Sequence, residues 1–200
     1  MPSIRYLALG DSYTIGTSVD ALDRWPNQLA ERLRAEDLEV EVSLIAHDGW
    51  TTRELWQGIQ DQNPSPPYDL VSLLIGVNNQ YRGYDIGIYR EEFRFLLGKS
   101  IEYAGGILAH VFVVSIPDWG VMPFAEGRDR EKIGREINLF NEINDEESFR
   151  AGVQYVDITP VSRQAAGDPS LIAADGLHPS GAMYKLWVGQ ILPSVLPRIK

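Results

Sequence analysis

The chain has 200 residues, with 28 acidic against 18 basic side chains and a net charge of −10 at pH 7, and it contains no cysteine. The hydrophobic (44%) and charged (23%) fractions exclude a disordered or fibrous protein. The length fits one domain over residues 1–200, the negative charge disfavours nucleic acid as a partner, and the lack of cysteine excludes disulfides and thiolate sites.

Five short apolar runs are predicted to be strands. They are Ile4–Leu9, Val40–Ala46, Leu70–Ile75, Val111–Ile116 and Val153–Val156. Four of the five runs are almost continuously apolar, which is typical of strands covered on both faces. No apolar run reaches transmembrane length and no signal-peptide pattern opens the chain, so we expect a cytoplasmic protein without stable membrane insertion.

Amphipathic stretches lie between these runs and predict five helices. Their apolar stripes are Trp25/Leu29/Leu33 behind a cap at Asp23, Leu55/Ile59 behind a capping box at Thr51–Glu54, Phe93/Leu97/Ile101, Ile133/Ile137/Phe140, and Met183/Trp187/Ile191 in a last helix that opens at Pro179 and is disturbed at Pro193. Alternating strands and helices predict an α/β protein. We expect a three-layer α/β/α sandwich with a five-stranded parallel sheet, flavodoxin-like, in the order 2-1-3-4-5.

Three polar loops are expected to meet at one edge of this sheet. They follow the first three strands and comprise Gly10–Thr14, His47–Thr51 and Gly76–Gln80. In such sheets ligands bind outside the carboxyl ends of the strands, where the winding direction reverses. This edge is therefore the predicted functional site.

The three histidines are the scarcest candidates for catalysis. His110 precedes an apolar run and is interpreted as structural, whereas His47 is interpreted as an exposed loop histidine, with a substrate contact as the alternative. His178 lies in Asp175-Gly-Leu-His, where a carboxylate three residues earlier can turn back to Nδ1 and leave Nε2 as a general base. The alternative is a simple turn followed by a helix cap.

Ser12 is the candidate nucleophile, because the chain leaves the first strand through Gly10 into a helical turn that would direct N–H groups at an anion. Asp11 is interpreted as a turn and hydrogen-bonding residue. The Asn78 amide and the Gly49 backbone are candidate donors to an oxyanion. Each of these residue types is also common in ordinary loops.

Taken in order, Gly10-Asp-Ser12, Gly49, Gly76-x-Asn78 and Asp175-x-x-His178 resemble the four blocks of the SGNH hydrolases, also called GDSL esterases and lipases. The resemblance implies the SGNH hydrolase fold, with Ser12 as nucleophile, His178 as base and Asp175 as its partner. It also implies an oxyanion hole made by the backbone amides of Ser12 and Gly49 and the side chain of Asn78. Residues 158–178 must then return to the edge that carries Ser12.

The chain departs from that pattern at Asn79, where the family usually has Asp. We expect a rearranged hydrogen-bond network there and retained activity. The resemblance implies a serine esterase that hydrolyses a small-molecule carboxylic ester through an acyl-enzyme, without a metal or organic cofactor. Carbohydrate O-acetyl esterase, lysophospholipase and thioesterase activities remain alternatives.

Candidate substrate-binding residues are the aromatic and apolar side chains of the loops beside these blocks. They are Trp50, Tyr81, Trp119, Met122 and Phe124. An apolar wall favours short-to-medium acyl chains; the alternative is that Trp119, Met122 and Phe124 pack beneath their own loop.

Two functions without catalysis are alternatives. A flavodoxin-like module could hold a flavin phosphate on the hydroxyls of Ser12, Thr14, Thr17 and Ser18, although the charge of Asp11 opposes this. An inert SGNH domain is the other alternative. The charged runs Arg128–Lys132 and Asp145–Glu147 are interpreted as solvated faces, and the sequence does not determine the oligomeric state.

Overall fold

The computed structural model describes residues 3–199, so the three remaining positions of the predicted domain 1–200 lie outside the described residues. The sheet has five strands in the order β2-β1-β3-β4-β5, and all neighbouring strands are parallel. The strands are β1 (Ser3–Gly10), β2 (Glu39–Ala46), β3 (Leu70–Leu74), β4 (Val111–Val114) and β5 (Gln154–Val156). The predicted α/β class and strand order are confirmed.

Helices cover both faces of the sheet. The α-helices within residues 3–199 are α1 (Ser12–Ile15), α2 (Trp25–Arg34), α3 (Thr52–Gln62), α4 (Val77–Tyr81), α5 (Ile86–Tyr103), α6 (Arg130–Ala151), α7 (Thr159–Ser162) and α8 (Gly181–Ile199). Helix α2 packs against α8, whereas α5 packs against α3 and α6. No helix of the described chain is long and apolar enough to cross a membrane.

The start of α3 is confirmed, whereas that of α2 is not where the sequence predicted it. The backbone N–H of Thr51 donates to the Glu54 carboxylate over 2.7 Å, as the capping-box pattern predicts. The prediction that Asp23 caps α2 is wrong: Arg24 is the N-cap of α2, and Asp23 belongs to a preceding 3-10 turn. The backbone carbonyl of Asp23 instead accepts a 2.7 Å hydrogen bond from the Gln28 side chain.

The last helix also differs from the prediction at both ends. It begins at Gly181 rather than Pro179, and it runs through Pro193 to Ile199. Proline removes one helical hydrogen bond. Buried side chains nevertheless continue on both sides of it, at Ile191 and Val195, so packing on the core maintains the helix.

The sheet register sets the position of the functional loops. Gly10, the last residue of β1, pairs with Ala46 of β2 on one side and with Leu74 of β3 on the other. A Cβ on Gly10 would lie 2.6 Å from the Leu74 carbonyl oxygen, so glycine allows this close approach. The loops after β1, β2 and β3 therefore start at the same level of the sheet.

One charged residue interpreted as solvated is buried. Glu147 on α6 has a side chain only 3% exposed, and its carboxylate contacts Arg90 of α5 at 2.6 Å and Arg150 at 2.7 Å. The interpretation of Asp145–Glu147 as a solvated face is therefore wrong at Glu147. A buried carboxylate needs such partners, because its desolvation is costly.

Candidate active site

Ser12 is the first residue of α1, immediately after the turn that ends β1. The side chain of Asp11 caps α1 by accepting the Tyr13 N–H at 3.0 Å, and Gly16 ends the helix in the left-handed conformation. Ser12 is only 7% exposed. A buried strand and a very short helix thus fix the backbone position of Ser12.

Asp175 and His178 form a compact acid–imidazole pair. His178 Nδ1 lies 2.6 Å from Asp175 Oδ2, and Asp175 Oδ1 accepts the backbone N–H groups of Leu177 and His178 at 2.9 Å each. Gly176 takes a left-handed φ of 71°, which permits the tight turn. With Nδ1 donating to the carboxylate, Nε2 is left as a proton acceptor.

The Asp175 carboxylate is stabilised in its charged form. Burial by itself would raise its pKa, but hydrogen bonds from the Ser18 hydroxyl, the backbone N–H groups of His178 and Leu177, and the imidazole outweigh it and hold the pKa well below its ordinary value. The charge therefore persists at neutral pH and fixes the orientation of the ring.

The segment 158–178 does return to the edge that carries Ser12. The His178 ring lies 5.4 Å from the Tyr13 ring, centroid to centroid. The Phe124 N–H donates to the Gly176 carbonyl at 3.0 Å, which joins this segment to the loop after β4. Pattern alone did not predict this path.

One cavity of about 160 Å³ joins the polar candidates to an apolar wall. Its lining comprises Ser12, Tyr13, Val77, Asn78, Tyr81, Trp119, Phe124, Leu177 and His178. The rings of Tyr81, Trp119 and Phe124 contact one another, with centroids 5.5 to 6.4 Å apart. Three of the five candidate substrate-binding residues therefore line the cavity.

Trp50 and Met122, the other two candidates, are not part of this lining. The Trp50 ring stacks on the exposed His47 and covers Gly58 of α3, where a Cβ would lie 2.1 Å from the ring. Met122 is fully buried in the core, so for this side chain packing beneath its own loop is the better description. His110 ends a 3-10 turn at the start of β4, at the opposite edge of the sheet.

The candidate oxyanion donors come from the other two loops. Asn78 donates one amide hydrogen to the Trp50 carbonyl at 2.9 Å and also lines the cavity. Gly49 has a φ of 77°, lies outside the lining, and its carbonyl accepts from Arg82 at 2.6 Å. Within residues 3–199, the N–H groups of Ser12 and Gly49 have no hydrogen-bond partner.

Asn79 is fully buried and ties the third loop to the start of α3. Its Oδ1 accepts the Thr52 N–H at 3.1 Å, and its Nδ2 donates to the Thr52 hydroxyl at 2.7 Å. That hydroxyl in turn donates to Glu92. An amide suits this position because it donates and accepts at once.

Asp11 is the second acidic group of the site and differs from Asp175. It is fully buried, and within the described chain its Oδ2 has no hydrogen-bond partner. Burial raises the pKa of Asp11 to about 8, against the hydrogen bond from the Tyr13 N–H. At neutral pH Asp11 is therefore mainly uncharged, so the negative charge that was expected to oppose a flavin phosphate at this loop is not present.

Sequence reasoning missed the contacts that two residues make beside the site. The Ser18 hydroxyl donates to Asp175 Oδ2 at 2.6 Å, and the two residues are 157 positions apart. The Arg128 guanidinium lies over Tyr81, Trp119 and Phe124, 5.2 to 5.5 Å from each ring centroid. Neither contact has a local sequence signal; Arg128 is exposed, as expected, and its guanidinium lies against the three rings.

The parallel sandwich and its serine–histidine cavity define the class of protein as a hydrolase of SGNH type. The chain belongs to the GDSL-like Lipase/Acylhydrolase family, whose model matches residues 8–186. Members of this family hydrolyse ester bonds, and this chain is an ester-bond hydrolase. No curated protein matches the chain as a relative.

Solved structures of similar fold cover nearly the whole chain. A lipase/acylhydrolase from Enterococcus faecalis is 22% identical with a TM-score of 0.71, covering 100% of this chain and 98% of its own. A psychrotrophic esterase from Pseudoalteromonas sp., inhibited by monoethylphosphonate, is 18% identical with a TM-score of 0.70 (96% and 97%). An acetylxylan esterase from Geobacillus stearothermophilus is 20% identical with a TM-score of 0.67 (98% and 94%). At these identities the likeness concerns the fold.

Proposed function

We propose that the protein hydrolyses carboxylic esters of small molecules through an acyl-enzyme on Ser12. Ester hydrolysis follows from the family, and the assignment of residues is carried by one observation: Ser12 and His178 line the same cavity. The net charge of −10 supports a small molecule rather than nucleic acid as the partner.

The proposed reaction has two halves. His178 Nε2 removes the proton from Ser12 Oγ as this oxygen attacks the ester carbonyl, and Asp175 stabilises the resulting imidazolium. When the tetrahedral intermediate collapses, His178 gives the proton to the leaving alkoxide, which departs as an alcohol. A water molecule, deprotonated by His178, then attacks the acyl-Ser12 carbonyl, and the acid leaves as the serine hydroxyl is restored. Side chains and water alone supply every proton in these steps.

The negative oxygen of each intermediate needs donors that are already in place. We assign this role to the backbone N–H groups of Ser12 and Gly49 and to the side-chain amide of Asn78. The Asn78 amide has a second hydrogen besides the one given to Trp50, which supports the assignment.

The size of the cavity supports a short-to-medium acyl chain. Its volume of about 160 Å³ is close to the roughly 150 Å³ of an apolar protein cavity that holds one benzene molecule. An acyl group of about four to six carbons has a similar size, whereas a palmitoyl chain would extend far outside. The wall of Tyr81, Trp119 and Phe124 would contact the chain.

The test is hydrolysis of p-nitrophenyl acetate, butyrate, octanoate and palmitate by the native protein and by Ser12→Ala. We expect the highest kcat/KM with butyrate or octanoate, and loss of hydrolysis in Ser12→Ala. A fluorescent phosphonate probe should label the native protein and not the variant.

Equal hydrolysis by the two proteins would contradict the assignment of Ser12. A maximum with acetate would favour the carbohydrate deacetylase alternative instead, and this would then be tested with acetylated xylo-oligosaccharides. An unreactive native protein that also resists the phosphonate would favour an inert domain.

A further inference from the structure

The three residues after α1, Gly16–Ser18, connect the serine loop to the other two parts of the site. The Thr17 hydroxyl donates to Asp48, next to Gly49. The Ser18 hydroxyl donates to Asp175 Oδ2 at 2.6 Å. The segment that carries the nucleophile therefore holds the carboxylate that orients the base.

We propose that Ser18 is a positioning residue. Its hydroxyl fixes the Asp175 carboxylate and, together with the His178 ring, donates a hydrogen bond to the negative charge of that carboxylate. This inference deepens the proposed function and rests on the assignment of Asp175 and His178 as the acid–imidazole pair. Ser18 acts through Asp175 and does not touch the ester.

The hydrogen bonds of Asp175 show why the hydroxyl matters. Oδ1 is held by two backbone N–H groups of its own turn, whereas Oδ2 accepts from His178 Nδ1 and from Ser18. Apart from the imidazole, Ser18 is the one side chain within residues 3–199 that donates to this carboxylate. Without Ser18, the ring alone would hold Oδ2.

No cation replaces the hydroxyl. Within the described residues, neither Lys nor Arg forms an ion pair with Asp175. The titratable groups nearest the pair are the Tyr13 ring, 5.4 Å from the His178 ring, and Tyr184, and the Asp175 charge acts on both phenols. Besides the imidazole, the side chain that stabilises the Asp175 carboxylate is therefore the neutral hydroxyl of Ser18.

The backbone of Ser18 supports a role for its side chain. Its φ of 66° lies in the left-handed region, where glycine is unstrained and other residues are disfavoured. Ser18 takes this conformation and in doing so places its hydroxyl against Asp175. A glycine here would relieve the backbone and lose only the hydroxymethyl group.

This property provides the test, because Ser18→Gly removes the hydroxyl without adding strain. Asn63→Gly is the matched control: Asn63 also has a left-handed φ, of 46°, but it lies at the end of α3. The measurement is kcat and KM for p-nitrophenyl butyrate as a function of pH, together with the unfolding temperature. Ser18→Ala serves as a second variant that keeps Cβ.

We expect kcat of Ser18→Gly to fall about tenfold, the lower end of the range known for hydrogen-bond partners that orient a metal-binding histidine, with KM little changed. The acid limb of the pH profile should move to higher pH, because an unshared Asp175 charge holds the imidazolium proton more tightly. Ser18→Ala should show the same shift, and Asn63→Gly should superimpose on the native profile.

An acid limb that stays in place, or moves to lower pH, in both Ser18 variants would overturn the inference even if kcat falls. Unchanged kcat would overturn it as well. Ser12→Ala is assayed in parallel. Activity in that variant would refute the proposed function itself, whereas an inactive Ser12→Ala with unshifted Ser18 variants refutes only the role of Ser18.

Discussion

At the scale of a single residue, the side chain of Asn78 contributes both to the fold and to the cavity. Its amide donates to the Trp50 carbonyl and so links the second and third loops, and the same side chain lines the cavity. We have proposed that its second hydrogen stabilises the oxyanion. A substitution must therefore be judged on both the rate and the fold.

We expect Asn78→Ala to lower kcat by about 10²- to 10³-fold, or about 2.7–4 kcal/mol, which is the usual cost of removing one side-chain donor from an oxyanion hole. Steady-state kinetics with p-nitrophenyl butyrate measure this effect. Asn78→Asp keeps the size of the side chain but replaces the donor with a negative charge, so it should be at least as slow. If either variant had native kcat, Asn78 would not be an oxyanion donor.

At the scale of elements, the apolar wall of the cavity comes from α4 and from the loop after β4, and one cation, Arg128, lies against its rings. Tyr81 is the last residue of α4, Trp119 and Phe124 come from the loop after β4, and Arg128 precedes α6. Tyr81 and Phe124 are nearly half exposed. The Arg128 guanidinium contacts the three rings and donates to the Tyr81 hydroxyl at 3.2 Å, and cation–π contacts of this kind stabilise the arrangement.

Arg128→Ala should release the two exposed rings and lengthen the acyl chain that the cavity accepts. The ratio of kcat/KM for octanoate to that for butyrate should rise about fourfold for each additional methylene buried, since one CH₂ contributes about 0.8 kcal/mol. The ester panel measures this ratio. Arg135→Ala is the control, because Arg135 is an exposed residue of α6 whose ion pair within residues 3–199 is with Glu131 of the same helix. An unchanged ratio in Arg128→Ala would show that Arg128 does not limit chain length.

Individual elements show what local sequence can predict. The strands were predictable because continuous apolar runs are the direct signature of a sheet buried on both faces. The end of α8 was not, because the packing of Val195 on the core outweighs the local effect of Pro193. The start of α2 was missed by one residue because Asp23 and Arg24 both precede the first turn, and the chain there forms a 3-10 turn first.

At the scale of the whole molecule, the buried carboxyl of Asp11 affects the stability of the fold. Its pKa is raised to about 8 in the folded chain, whereas an unfolded chain titrates it near its ordinary value of about 3.8. Between these values the unfolded state releases the proton more readily. The contribution of Asp11 to the free energy of unfolding should therefore fall as the pH rises from about 4 to 8, and level off above.

Asp11→Asn should remove this dependence while its side-chain oxygen still caps the Tyr13 N–H. We expect the free energy of unfolding of the native protein to lose up to about 1.4 kcal/mol more per pH unit than that of the variant, which is the contribution of one proton. Urea denaturation at several pH values from 5 to 9 measures both slopes. Parallel slopes would show that Asp11 is ionised in the folded protein at neutral pH.

As with the fold, one part of the candidate site could be predicted from the sequence and another part could not. Ser12, Asn78 and the Asp175–His178 pair were predictable because each belongs to a short motif at a strand end or turn. Ser18 and Arg128 were not, since their partners are distant in sequence and are brought close only by the folded chain. The prediction for Trp50 failed for the opposite reason. Its position beside Gly49 indicated a place in the cavity, but Gly58 has no side chain, and the Trp50 ring packs on α3 at that point instead.

The contact between Ser18 and Asp175 spans 157 positions of the chain, and this has a consequence for biosynthesis. During translation the serine loop leaves the ribosome well before the histidine turn, which lies more than 150 residues further along the chain. No nascent fragment that ends before this turn contains both halves of the cavity. Long-range contacts also form late in folding, because the entropy of closing a large loop must be overcome first. The appearance of esterase activity in a timed translation reaction should therefore report the emergence and folding of the histidine turn, rather than the emergence of the serine loop.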